Sequence, residues 1–156
     1  MPELVGALDG AGLRACVVVA RWNSFVTEKL LAGALSCLRE RGLAERDITT
    51  AWVPGAFEIP TAARWAAASG RYDAVICLGA VIRGDTAHFE YVAGGAAQGI
   101  LRVAQDTGVP TVFGVLTVDT VEQALARAGG KDGHKGEEAA QTAIEMANLR
   151  KLLASP

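Results

Sequence analysis

The chain has 156 residues, 51% of them hydrophobic, and a formal net charge of −2, which suits one globular domain with a real core and excludes a disordered polymer. Its Lys and Arg are scattered, so neither a nucleic-acid face nor a polybasic membrane patch is expected. The longest apolar runs are strand-length and the N-terminus has no basic region followed by an apolar run, so the expectation is a cytoplasmic protein with no membrane span.

Residues 1–12 carry no clear pattern. Residues 15–20, Ala-Cys-Val-Val-Val-Ala, form a continuous apolar run of the kind found in strands buried on both faces of a parallel sheet. After Arg21-Trp22-Asn23, the helical spacing of Phe25, Leu30, Leu31, Ala34, Leu35 and Leu38 predicts a helix over 24–41 that ends before Gly42. A second strand, 48–53, stops at Pro54-Gly55. An Ala-rich helix follows over 57–69, with Pro60 near its start, where a missing N–H costs little. The third strand, 74–78, runs into Gly79–Tyr91 (GAVIRGDTAHFEY), and a helix then extends over about 87–107. Gly94, Gly95 and Gly99 weaken that helix by about 1 kcal/mol each relative to Ala; the plainer reading is simple tolerance, and the other is a crowded contact such as one between subunits. A fourth strand (111–116), a short helix (121–128), a Gly- and Lys-rich break (129–136) and an amphipathic helix (137–153) complete the chain. Strand–helix alternation throughout predicts one α/β domain: a four-stranded parallel sheet in a three-layer arrangement, flanked by helices on both faces.

In such sheets ligands bind at the carboxyl ends of the strands, and the unusual residues collect there. Gly79, Ala80 and Gly84 leave backbone amides approachable. Asp85 and Thr86 are capping types at a helix start, where free N–H groups attract an anion such as phosphate. His88 follows within the first turn, and an imidazole, with an ordinary pKa of about 6.5, both gives and takes protons near neutrality. Trp22 offers an aromatic plate, Glu58 a carboxylate for hydroxyls or an amine, and Arg127, Lys131 and Lys135 cations. Together they suit an aromatic heterocycle and a phosphorylated small molecule. Taken singly, each has a plainer reading: a solvated His, a helix-start staple, a first-turn charge, an exposed Arg. Cys16, Cys37 and Cys77 are odd in number, lack Cys-x-x-Cys spacing and lie among apolar neighbours, so they read as buried thiols in a reducing compartment. Two histidines and no Cys/His cluster give no zinc-like spacing.

Arg21-Trp22-Asn23, Val53 through Pro60 (VPGAFEIP), Gly79 through Tyr91, Phe113 through Thr117 (FGVLT) and Glu122 through Gly136 together resemble the 6,7-dimethyl-8-ribityllumazine synthase family, in its order and spacing over nearly the whole chain. The resemblance implies a flavodoxin-like fold and a transferase of riboflavin biosynthesis. Its reaction would be condensation of 5-amino-6-(D-ribitylamino)uracil with 3,4-dihydroxy-2-butanone 4-phosphate, with no cofactor and no metal. It further implies that Trp22, standing where a Phe is usual, stacks on the pyrimidine. Ala56, Phe57 and Glu58 would hold the ribityl chain, and Ala80, Val81 and Ile82 would meet the pyrimidine through backbone groups, with Lys135 on the same side. Asp85 and Thr86 would present amides to the phosphate, paired with Arg127; Phe113 would line the butanone pocket and His88 would carry protons. Gly130 and His134 depart from a Thr and an Asn of the family's loop. The same resemblance implies a pentamer with pockets between subunits, residues 1–12 packing on a neighbour, and, given the short loop 129–136, closure into a 60-subunit icosahedral shell that could associate with riboflavin synthase.

Two other readings share this layout. A flavodoxin or response-receiver type of binding domain would need a Ser/Thr/Gly-rich loop after the first strand or an Asp at the end of the third, where Arg21–Phe25 and Leu78-Gly79 stand. A shell-forming or flavin- or pterin-binding member without activity would keep the fold and lose turnover.

Overall fold

All six residues of β1 (Ala15–Ala20) are buried because this strand lies inside the sheet. In the computed structural model, which describes residues 1–156, β1 pairs in parallel with β2 (Ile48–Val53) on one side and β3 (Ala74–Ile82) on the other. β3 in turn pairs in parallel with β4 (Thr111–Val118), so the sheet order is β2-β1-β3-β4. Side chains alternate across a strand, and β1 divides them between two cores. Ala15, Val17 and Val19 pack with Leu30, Ala34 and Leu38 of α1 (Ser24–Glu40) and Ala140, Ala143 and Ile144 of α5 (Lys135–Ala154). Cys16, Val18 and Ala20 pack with Ile59 and Ala63 of α2 (Ile59–Ala68) and Ala96 and Ile100 of α3 (His88–Thr107). The result is the predicted three-layer α/β, flavodoxin-like arrangement. α4 (Val121–Ala126) opens with a capping box in which Thr120 and Gln123 satisfy each other's amides.

Several boundaries differ from the sequence reading. β3 does not stop at residue 78. Gly79–Ile82 pairs with Val115–Val118 of an equally extended β4, so what looked like a loop is strand. Glycine at 79 lets Ile59 come close: a β-carbon on it would lie 3.1 Å from Ile59 Cδ1. α3 begins at His88 with Ala87 at its N-cap and no side-chain cap. Asp85 and Thr86 therefore stand before the helix and do not cap it as expected; the nearest approach is Thr86 Oγ1 accepting from His88 N at 3.4 Å. α2 starts after a 3-10 turn, Ala56–Glu58. The Gly- and Lys-rich break is itself ordered: β5 (Ala128–Gly130) and β6 (Gly133–His134) form a small antiparallel ribbon, with Gly133 at φ 93 where a side chain would be strained.

The glycines of α3 are explained largely within the chain. A β-carbon on Gly95 would lie 2.8 Å from Phe57 Cε1 and one on Gly99 2.7 Å from Pro60, whereas Gly94 faces open space. They let the 3-10 turn and the start of α2 approach the helix. At the N-terminus, Asn148 of α5 donates to the carbonyls of Ala7 and Asp9, and Gly6 lies directly on the helix backbone, while Met1–Val5 are exposed. No helix is long and apolar enough to cross a membrane.

Candidate active site

β3 outruns its neighbour. Its pairing with β1 ends at Val19↔Leu78, while its pairing with β4 continues to Ile82↔Val118. Beyond Leu78, every second residue of β3 turns its backbone groups toward a side with no strand. The Ala80 carbonyl is one of these, and it accepts from Asn23 Nδ2 at 2.8 Å; Ile82, two residues on, faces the same way. Arg83 N turns instead to β4 and donates to Val118 O. The overshoot leaves a recess of about 210 Å³ at the carboxyl end of the sheet. Trp22, Ala56, Ala80, Val81, Ile82, Thr86 and His88 line it, together with Asn23, Gly84, Phe89 and Val92.

The wall opposite β3 is an aromatic plate laid on backbone. Arg21 N and Trp22 N donate to Val53 O and Pro54 O, tying the end of β1 to the end of β2. The Trp22 ring then lies across Gly55, where a β-carbon would sit 2.3 Å from Trp22 Cε3. Gly55 is thus required by the indole. The next residue, Asn23, has φ 65, the only positive φ outside glycine, a conformation Asn tolerates better than most side chains. That turn reverses the chain into α1 and aims the Asn23 amide at Ala80. Glu58 and Phe57 stand beside the recess and do not line it. The Glu58 carboxylate accepts from Gly55 N at 3.1 Å through Oε2, which anchors the loop beneath Trp22 and leaves Oε1 without a protein partner. Phe57 lies across Gly95 and is 58% exposed.

The loop between β3 and α3 is held at its base by Arg83. Its guanidinium donates to Asp119 and to Glu90 and lies over the Phe89 ring, 4.3 Å from the centroid. The hydrogen bond from Arg83 holds the Glu90 carboxyl below its usual range. Asp85, Thr86 and His88 are exposed on this loop and helix start; Thr86 and His88 line the recess and Asp85 stands beside it.

Phe113, Arg127 and Lys135 are elsewhere. Phe113 and Lys135 line a separate groove of about 420 Å³ between the outer edge of β4 and α5. Arg127 closes α4, where its Nη1 donates to Gln123 O and lies 3.6 Å from Asp132. One chain therefore carries two half-sets of the predicted residues. No group of three or more His, Cys, Asp or Glu is placed to hold a metal ion. The thiols are remote and buried: burial pushes Cys16 up to about 11, against the opposing charge of Arg71, and raises Cys77 as well. Neither is a nucleophile for this recess.

Asn23 and Arg83 were not singled out for a role by sequence. Asn23 sits inside the Arg21-Trp22-Asn23 motif, and a polar residue at a strand-to-helix junction is the available signal. Arg83 gave none, because Asp119 becomes its neighbour only through the β3–β4 pairing and Glu90 only through the fold of the loop into α3.

A three-layer parallel sheet whose carboxyl end holds a recess lined by an aromatic plate, strand backbone and one imidazole defines a small-molecule-binding α/β protein. The family model described as 6,7-dimethyl-8-ribityllumazine synthase matches residues 12–151. The chain belongs to that family, whose members are transferases of riboflavin biosynthesis that act on small molecules as oligomers.

Proposed function

We propose that the chain condenses 5-amino-6-(D-ribitylamino)uracil with 3,4-dihydroxy-2-butanone 4-phosphate to 6,7-dimethyl-8-ribityllumazine. The observation that carries this reading is the meeting of Trp22, the strand end Ala80–Ile82 and His88 around one recess. Such a recess offers a flat ring a stacking face on one side and amide edges on the other. The pyrimidine stacks on Trp22 and meets Ala80, Val81 and Ile82. The ribityl chain runs past Ala56 and Phe57 to the free oxygen of Glu58. The phosphate takes the amides of Asp85 and Thr86, with the Asp85 carboxylate turned outward.

The substrate's aromatic amine attacks the ketone and expels one water as the imine forms. Elimination then releases phosphate, and attack of the ribityl-bearing nitrogen closes the ring with loss of a second water. His88 takes and returns protons in these steps. Holding two reactants in register supplies much of the acceleration, on the order of 7–11 kcal/mol in favourable cases, so His88→Ala is slowed rather than dead.

A single chain does not complete this site. The recess is about 210 Å³, smaller than the roughly 300–1,000 Å³ of pockets that enclose ligands of drug size. Phe113, Arg127 and Lys135 lie away from it. In the proposed enzyme these three come from an adjacent copy in a pentamer, Arg127 to the phosphate, Phe113 to the butanone and Lys135 to the pyrimidine side. Exposed aromatics support assembly: Trp22, Trp52 and Trp65 are 64%, 42% and 72% exposed. The two-residue turn of the β5–β6 ribbon leaves the connection to α5 short, which favours a pentamer that closes into a 60-subunit shell in the cytoplasm, a surface on which riboflavin synthase could associate.

The test mixes the purified protein with both substrates and follows lumazine fluorescence above the spontaneous reaction, with His88→Ala alongside. Product formed faster than in buffer, and slowed in the variant, is expected. A wild-type protein that stays folded and assembled yet does no better than buffer overturns the assignment.

A further inference from the structure

His134 does more for the site than its position in a surface ribbon suggests. Its imidazole lies in a recess walled by three glycines from three elements. A β-carbon on Gly33 of α1 would lie 2.1 Å from Cε1 and 2.2 Å from Nε2, one on Gly136 of α5 3.0 Å from Cε1, and one on Gly129 of β5 3.3 Å from Cδ2. Gly33 sits buried in the middle of α1, where glycine weakens a helix by about 1 kcal/mol relative to alanine; the ring explains it. From this recess Nδ1 accepts the amides of Gly136 at 3.1 Å and Glu137 at 3.3 Å, so it caps α5 and the ring carries its proton on Nε2. The flanking backbone ties the two proposed cations to this anchor: His134 pairs with Ala128 across the ribbon, and Lys135 N donates to Arg127 O at 2.8 Å. Lys135 is the first residue of the capped helix.

We propose that His134 is a positioning residue. Seated among Gly33, Gly129 and Gly136 and capping α5, it fixes the ribbon that holds Arg127 and Lys135 in the orientation the substrates need. This rests on the roles proposed above for those two cations. Asparagine presents a comparable acceptor without the ring, whereas alanine removes the acceptor and empties the recess; Gly33→Ala keeps His134 but fills its seat.

The experiment has two arms. In turnover, His134→Ala and Gly33→Ala should raise KM for the butanone phosphate by about 5-fold or more with a smaller change in kcat, and His134→Asn should return it to within about 2-fold of wild type. In hydrogen exchange, read peptide by peptide on the assembled protein, segment 127–137 should exchange faster in His134→Ala and recover in His134→Asn. If wild type makes lumazine, an unchanged KM in His134→Ala, or a His134→Asn protein as impaired as His134→Ala, overturns the proposal. If wild type makes none, the lumazine reading fails separately and the exchange arm decides: loosening confined to 127–137 and reversed by asparagine supports the anchor, and unchanged exchange overturns it.

Discussion

Replacing Asn23 by Ala and, separately, by Gly divides two contributions at the lip of the recess. Asn23 holds φ 65 and donates from Nδ2 to the buried Ala80 at 2.8 Å. Alanine loses that hydrogen bond, a net loss of about 1 kcal/mol, and must also keep a β-carbon in the left-handed region, at about 1–2 kcal/mol. Asn23→Ala should therefore lose about 2–3 kcal/mol. Glycine loses the same bond and adopts the conformation freely, but carries more unfolded-state freedom, about 0.5–1 kcal/mol. Asn23→Gly should thus be the more stable of the two by about 1 kcal/mol. The assay is urea unfolding followed by far-ultraviolet circular dichroism at one protomer concentration, since assembly makes apparent stability concentration-dependent. Equal midpoints for the two variants would refute the backbone argument, and an Asn23→Ala protein as stable as wild type would refute both contributions.

Arg127→Ala removes the proposed phosphate partner; a hydrogen bond to a charged group is worth about 1.5–3 kcal/mol, so KM for the butanone phosphate should rise about 10-fold or more while KM for the ribitylaminouracil changes little, and a fully active variant would sink the phosphate role. The Cys16 thiol, ordinarily near 9, is pushed up to about 11 by burial. The unfolded chain therefore ionises first, and this group's contribution to stability is full below about 9 and is lost as pH climbs to about 11. Unfolding midpoints should fall more steeply over that window for wild type than for Cys16→Ala, and parallel profiles would contradict the assignment. A β-carbon on Gly6 would lie 1.9 Å from Glu145 O, so Gly6→Ala should lift the N-terminal segment from α5; earlier cleavage near residues 1–10 in limited proteolysis checks this, and an unchanged pattern would show that the segment does not depend on that contact.

The sequence by itself determined the layers. Apolar runs such as Ala15–Ala20 and the helical spacing of Leu30, Ala34 and Leu38 report burial locally, because side-chain period is a property of the chain alone. It also placed Trp22, Ala80, Thr86 and His88 at strand ends, where the alternation of elements puts ligands. Only the tertiary structure decided how far the strands run: Gly79–Ile82 becomes strand because β4 offers a partner, and the lack of one on the other side opens the recess. It moved the start of α3 past Asp85 and Thr86, explained Gly95 and Gly99 by Phe57 and Pro60, and gave His134 its seat against Gly33. It also separated Phe113, Arg127 and Lys135 from the recess. The strand extension and the glycine contacts depend on groups distant in sequence, and a periodicity read along one chain carries no record of what lies across from it.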